Sequence, residues 1–157
     1  MDKDKIHNLI KDLIEKTTVK VNKISITEEG PKNTWYAVEV NEPNLFLGRD
    51  GEALNALNHL VRRMVESEIE GDKEGPEFLI DINGFQKKRV DNIRSVAHMM
   101  GERARYFKSN IEIDPMSAFE RRIVHEFFSN MTDLKTESTG FGPTRRVVIK
   151  YVGSTSI

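Results

Sequence analysis

Phe46-Leu47-Gly48-Arg49-Asp50-Gly51-Glu52-Ala53-Leu54 sets two glycines around two charged residues, between a short apolar run and a long helical pattern. A Gly-x-x-Gly turn in that position lets a phosphate backbone come close to the main chain, because no Cβ intervenes, and the following helix presents free N–H groups to an anion. The same residues also fit a tight helix-helix turn with glycine at the C-cap. Taken alone they leave both readings open, so the flanking elements must decide.

Upstream, Ile6, Leu9, Ile10, Leu13 and Ile14 recur at helical spacing. The period then changes. Val19, Val21, Ile24 and Ile26 mark a strand, Glu29-Gly30-Pro31-Lys32-Asn33 has turn chemistry, and residues 34–40 form a second strand, so a hairpin is expected. Trp35 could stack on a base, but a lone aromatic in an amphipathic strand fits packing as well. Downstream, residues 52–69 read as a helix with Leu54, Leu57, Val61, Met64 and Val65 on one side; a polar connection at 71–76 leads to a third strand, residues 78–82. The order helix, strand, strand, short helix, Gly-x-x-Gly, helix, strand is that of a type II KH domain, whose loop clamps a few backbone nucleotides of a single strand.

Residues 85–109 predict the longest helix, with Val90, Ile93, Ala97, Met100, Ala104 and Phe107 as its buried stripe. At about 100° per residue Lys87, Arg94, His98 and Arg105 share the opposite sector. That basic ridge fits either phosphate contact or a solvated charged face. A short strand at 111–113 precedes Asp114-Pro115, a good helix start. In that helix Met116, Phe119, Ile123 and Phe127 are expected inside. Arg121 and His125, four apart, are expected on an exposed patch with Phe128 beside them. Residues 133–138 and 145–152 read as strands joined by the Gly- and Pro-marked loop 139–144. Of the adjacent Arg145 and Arg146, strand alternation allows only one to face the Arg121-His125 patch.

The 157 residues are 38% hydrophobic and 31% charged, which suits a soluble globular chain of one or two small domains. No window approaches the roughly 18 apolar residues of a membrane span, and the N-terminus is amphipathic, so an unexported, cytoplasmic protein is expected. Without cysteine there is no disulfide, thiolate zinc site or cysteine nucleophile. The four histidines lack metal-ligand spacing, and no cofactor site, metal site or nucleophile-base-orienter set is visible. The net charge of -1 conceals an asymmetry: residues 1–84 hold 11 Lys+Arg against 17 Asp+Glu, or -6, and residues 85–157 hold 13 against 8, or +5. A basic half concentrates phosphates and an acidic half does not.

With these residues in view, the chain resembles the Jag (SpoIIIJ-associated; EloR/KhpB) family of bacterial RNA-binding proteins, which join a KH domain to a domain named for its Arg-x-x-x-His motif. The match runs through Leu47 to Gly51, then Asp114-Pro115-Met116, Glu120 to His125, Thr136-Glu137-Ser138, Gly142-Pro143 and Arg145 to Ile149. The resemblance implies an α+β chain of two small domains: a type II KH domain (αββααβ) at 1–84, then an Arg-x-x-x-His domain at 85–157 with helices on a small three-stranded sheet. It further implies non-catalytic binding of single-stranded RNA, with single-stranded DNA the alternative strand, and a link to cell elongation and division. A small separate KH protein is an implied partner. Many relatives carry an added N-terminal domain and linker; these 157 residues are expected to lack that module, so no role of it is carried over. Asp50 and Glu52 also depart from a phosphate-friendly loop.

The residues expected to contact nucleic acid are Gly48, Arg49, Asp50 and Gly51 in the first half. In the second they are Lys87, Arg94, Arg105, Arg121, His125, Arg145 and Arg146. A protein-interaction adaptor, whose acidic half pairs with another KH protein, is the competing reading. A nuclease using the Arg-His pair is a third.

Overall fold

The computed structural model describes residues 2–29, 33–71 and 74–153. The turn expected at Gly30-Pro31-Lys32 and part of the 71–76 connection lie outside the described residues. The chain divides into two compact units, Met1–Lys87 and Lys88–Ile157.

The first unit runs α1 (Lys3–Lys16), β1 (Val21–Glu29), β2 (Asn33–Val40), α2 (Asn44–Leu47), α3 (Glu52–Ser67), β3 (Phe78–Ile82), the αββααβ order. Its sheet is ordered β1-β2-β3, with β1 antiparallel and β3 parallel to β2. Parallel pairing needs a crossover, which the α2-α3 segment supplies. Ile6, Ile10 and Ile14 of α1, and Leu54, Leu57, Val61 and Val65 of α3, bury one face of each helix in a common core with Tyr36, Val38, Phe78, Ile80 and Ile82. Val21 and Ile24, three apart, would point to opposite faces of a regular strand. The register shift between Val21 and Lys23 brings both to the core.

Two asparagines complete this sheet with side-chain amides. Asn83 accepts from Val40 N–H at 2.9 Å and donates to Val40 C=O at 2.9 Å, extending the β2-β3 pairing by one rung. Asn58 on α3 does the same for β3: Ile80 N–H donates to its Oδ1 at 2.8 Å, and its Nδ2 donates to Ile80 C=O at 3.0 Å. β3 is an edge strand, so without Asn58 those two buried groups would face the core unpaired.

The helix α4 (Phe85–Phe107) starts on the buried carboxylate of Asp81, whose two oxygens accept from Gln86 N–H at 2.8 Å and Lys87 N–H at 3.0 Å. It ends in a Schellman arrangement: Lys108 is left-handed (φ 48°), Ser109 N–H reaches Ala104 C=O and Lys108 N–H reaches Arg105 C=O. The buried stripe therefore stops at Ala104, and Phe107, expected inside, is 63% exposed.

From Lys88 onward the second unit comprises most of α4, then β4 (Ile111–Glu112), α5 (Ala118–Phe128), β5 (Leu134–Thr139), one 3-10 turn (Gly142–Thr144) and β6 (Arg146–Tyr151). The antiparallel sheet is ordered β4-β6-β5. Ala97, Ala104, Val124, Phe128, Leu134, Val147 and Ile149 form its core. Gly101 lets α4 meet the Phe128 ring closely, since a Cβ there would stand 2.8 Å from Phe128 Cε1.

The start of α5 departs from expectation. Ser117 is the N-cap, with Glu120 N–H donating to its Oγ and Ser117 N–H donating to Glu120 Oε2 at 2.8 Å. This capping box satisfies two N–H groups, whereas Asp114 could satisfy one. Phe128 is buried rather than displayed beside Arg121, and Phe127 is only partly covered.

Candidate nucleic-acid interface

His125 projects from α5 onto β5. Its Nδ1 lies 2.7 Å from Thr136 Oγ1 and its Nε2 lies 2.8 Å from Ser138 Oγ. Thr136 and Ser138 are two apart and so share one strand face. Burial, and secondarily the Arg121 guanidinium, hold the His125 pKa below its ordinary range. The ring is neutral at pH 7, donating to one hydroxyl and accepting from the other. It fastens α5 to β5 and is partly buried, where the sequence placed it on an exposed patch.

Arg121, one turn earlier, donates from Nη1 to Met116 C=O at 3.1 Å. Arg145, just before β6, donates from Nη1 to Gly140 C=O at 2.8 Å. Both line one open cleft of about 620 Å3, with Gly142 and Pro143 on the Arg145 side and Met116 and Ser117 at the start of α5. A guanidinium has five N–H donors, so each keeps most of its fork after holding one carbonyl. Arg89 and Glu120 also border the cleft, paired at 2.9 Å. Burial opposes ionisation of Glu120, but the Ser117 backbone N–H and Arg89 outweigh it and keep its pKa low. That pair is electrically balanced, and Arg121 with Arg145 leave the cleft cationic.

The family model of the Arg-x-x-x-His domain, named for an arginine and a histidine with three residues between them, matches residues 91–151, the stretch that holds Arg121, His125 and this cleft. Residues 91–151 are an Arg-x-x-x-His domain. The chain is also homologous to curated bacterial proteins, each named RNA-binding protein KhpB. It is 26% identical to that of Bacillus subtilis (strain 168) over 79% of this chain and 59% of the relative. For Clostridium symbiosum the figures are 24%, 69% and 48%. For Streptococcus pneumoniae serotype 2 (strain D39) they are 27%, 71% and 33%. The matches thus span from a third to under two thirds of these relatives' own length.

The other cations of this domain differ in their freedom. Arg94 is exposed. Arg105 is held by Asp133, with Nε at 2.6 Å from Oδ2 and Nη2 at 3.0 Å from Oδ1, and by Glu102 at 2.7 Å. The hydrogen bond to Asp133 raises the Arg105 pKa further and lowers that of Asp133. Its fork is filled, so the ridge expected along α4 loses that member. Arg146 reaches Glu112 at 3.5 Å. Of the adjacent pair, Arg145 is the one that shares the cleft with Arg121. Lys87 is exposed and belongs to the first unit.

In the first unit Gly48, Arg49 and Asp50 are exposed and Gly51 is buried. Gly51 has φ 72°, and a Cβ on it would lie 2.6 Å from Phe85 Cε1. Glycine is required there by backbone conformation and by the phenyl ring beneath it. Asp50, also left-handed at φ 49°, sits at the tip beside Arg49. Among the described residues no group of His, Asp and Glu is placed to hold a metal ion, and no helix is long and apolar enough to cross a membrane.

Sequence reasoning named Thr136 and Ser138 only as part of the family resemblance, without their contact to His125, and did not single out Arg89. That contact was within reach, since their period-2 spacing opposite a helical histidine marks a shared face. Arg89 becomes relevant only once α4 and α5 are packed.

The depressed His125 pKa has a pH consequence. An unfolded histidine titrates near 6.5, so below that pH the unfolded chain binds a proton that folded His125 resists. Stability of this domain is then lost as pH falls from about 6.5 through the lower folded pKa, and no further below it. Melting curves of wild type and His125→Gln between pH 7.5 and pH 4.5 should show a steeper acid-side loss in the wild type. Parallel curves would mean that His125 is not held neutral.

Proposed function

We propose that this protein is a non-catalytic single-stranded RNA-binding protein of the Jag type, cytoplasmic, and a post-transcriptional regulator tied to cell elongation and division. The observation that carries the reading is the pair of guanidiniums, Arg121 and Arg145, held on backbone carbonyls in one open cleft. Arginine forks match phosphate oxygens in geometry and charge. The names of the homologous proteins support RNA as the strand. A non-catalytic role fits His125, whose two ring nitrogens meet the hydroxyls of Thr136 and Ser138 and, among the described residues, no carboxylate that would orient it as a base.

The first unit is a secondary contact or a docking unit for a small KH protein. Its net charge of -6 over residues 1–84, and Asp50 at the loop tip, favour the docking role.

Fluorescence anisotropy with a labelled 12-nucleotide RNA tests the main contact. Arg121→Ala with Arg145→Ala should weaken binding at least about tenfold, since hydrogen bonds to charged groups contribute about 1.5–3 kcal/mol each. It should also lower the slope of log affinity against log salt by about 1.4, or about 0.7 for each phosphate no longer neutralised. Unchanged affinity and slope would remove the cleft from the interface. A DNA strand of the same sequence reports the contribution of the 2′-hydroxyl. Amide shifts confined to residues 88–153 on adding RNA would assign the first unit to protein docking.

A further inference from the structure

Phe141 is 90% exposed, the most exposed large apolar side chain among the described residues. Other exposed rings have company: Tyr106 and Phe107 pack edge to face with centroids 5.0 Å apart. Phe141 has no aromatic partner among the described residues. Its backbone is firmly held. Thr144 donates to Phe141 C=O from Oγ1 at 2.8 Å and from N–H at 3.2 Å, and Arg145 N–H donates to Gly142 C=O at 3.1 Å. Gly140 takes φ 91°, where a Cβ would approach Thr144 O to 3.1 Å. The glycines either side of Phe141 therefore serve a tight turn, and the turn gives the ring nothing to pack against.

The same turn builds the cationic cleft. Gly142 and Pro143, which follow Phe141 directly, line it, and Gly140 C=O, on the other side, positions the Arg145 guanidinium. A bare aromatic face is thus carried on the hydrogen-bonded turn that aims one of the two guanidiniums, Arg121 and Arg145, lining the cleft. Single-stranded RNA alternates charged phosphates with flat unpaired bases, so a site with adjoining cation and ring matches one nucleotide of it. A folded duplex keeps its bases stacked and would leave the ring unused.

We infer that Phe141 is a base-stacking residue: an unpaired base lies on its ring while a neighbouring phosphate is held by Arg145 and Arg121. This rests on the RNA-binding reading of the cleft. It adds that the contact includes a base, so that the cleft distinguishes single strands from duplex by a side chain and not by charge alone.

The test uses the full chain and the labelled 12-nucleotide RNA, with a second strand in which four consecutive central nucleotides are abasic. Phe141→Ala should weaken binding to the intact RNA about fivefold to a hundredfold, the range seen for loss of one base–aromatic stack. The salt slope should stay unchanged, because no charge is removed. Phe141→Trp should bind as well as wild type and Phe141→Leu should not, and wild type and Phe141→Ala should bind the abasic strand equally. Circular dichroism melts at wild-type temperature would show that the fold is kept. If Phe141→Ala binds like wild type while Arg121→Ala with Arg145→Ala is weakened, the stacking inference is overturned and the cleft reading stands. If Phe141→Leu binds like wild type, or Phe141→Ala also weakens binding to the abasic strand, the contact is merely apolar and stacking is again overturned. Wild type that binds no RNA at low salt overturns both.

Discussion

Asn58→Leu is expected to lower the stability of the first unit by about 4 kcal/mol, enough to unfold a typical small domain or nearly so. Leucine fills the volume of asparagine but has no polar atoms, so Ile80 N–H and C=O would both be left buried without partners. Each such group costs about 1–3 kcal/mol. Asn58 and Ile80 are 8% and 0% exposed, so water does not replace the missing bonds. The bond from Asn58 Nδ2 to Leu54 C=O at 3.1 Å goes too, though that carbonyl is also available to the helix ladder. The chain has one tryptophan, Trp35 on β2, so urea unfolding followed by its fluorescence reports on this unit. His59→Leu, at an exposed neighbour on the same helix, is the control and should change stability by no more than about 0.5 kcal/mol. An Asn58→Leu midpoint equal to that of the control would refute the edge-strand role of Asn58.

Gly51→Ala should cost the same unit about 3 kcal/mol. The left-handed conformation at φ 72° contributes roughly 1–2 kcal/mol once a Cβ is present. The rest comes from driving that Cβ to 2.6 Å from the Phe85 ring, because overpacking of this kind costs about 1–3 kcal/mol. The size of the effect bears on function. Gly51→Ala destabilises the unit whether or not the loop touches RNA, so a loss of RNA binding in that variant cannot by itself assign a contact. Arg49→Ala, at an exposed position, tests the contact without that confusion. Trp35-monitored unfolding of Gly51→Ala beside Arg49→Ala should separate the two, with a large midpoint shift in the first and almost none in the second. A wild-type midpoint for Gly51→Ala would mean that Phe85 moves aside at little cost.

The elements of both units follow closely from local pattern. Helical spacing of Ile6, Ile10 and Ile14 and the runs in β2, β3 and β6 sufficed, because 3.6- and 2-residue periods are properties of a single segment. The errors lie where neighbouring residues compete. Phe127 and Phe128 differ by about 100° on the helix, and which one enters the core depends on the helix start and on where the sheet lies. Asp114-Pro115 and Ser117 are both acceptable starts, and the reciprocal bond from Glu120 decides for Ser117. That Ser-x-x-Glu signature was present in the sequence and outranks an Asp-Pro pair as a cap.

The order of elements, the Arg-x-x-x-His spacing and the charge difference between the halves are local or additive properties, and reading the chain residue by residue is enough to find them. Which cations remain available is settled by packing. Arg105 and Arg94 share a helical sector, yet Asp133, 28 positions along the chain, fills the fork of Arg105. His125 looks like a surface base until β5 brings two hydroxyls to its ring. Arg145 and Arg146 are adjacent, and Glu112 on β4 engages the second while the turn that carries Phe141 aims the first. Partners distant in sequence meet only in the folded chain, and a charged side chain binds a ligand only where the fold leaves it unmatched.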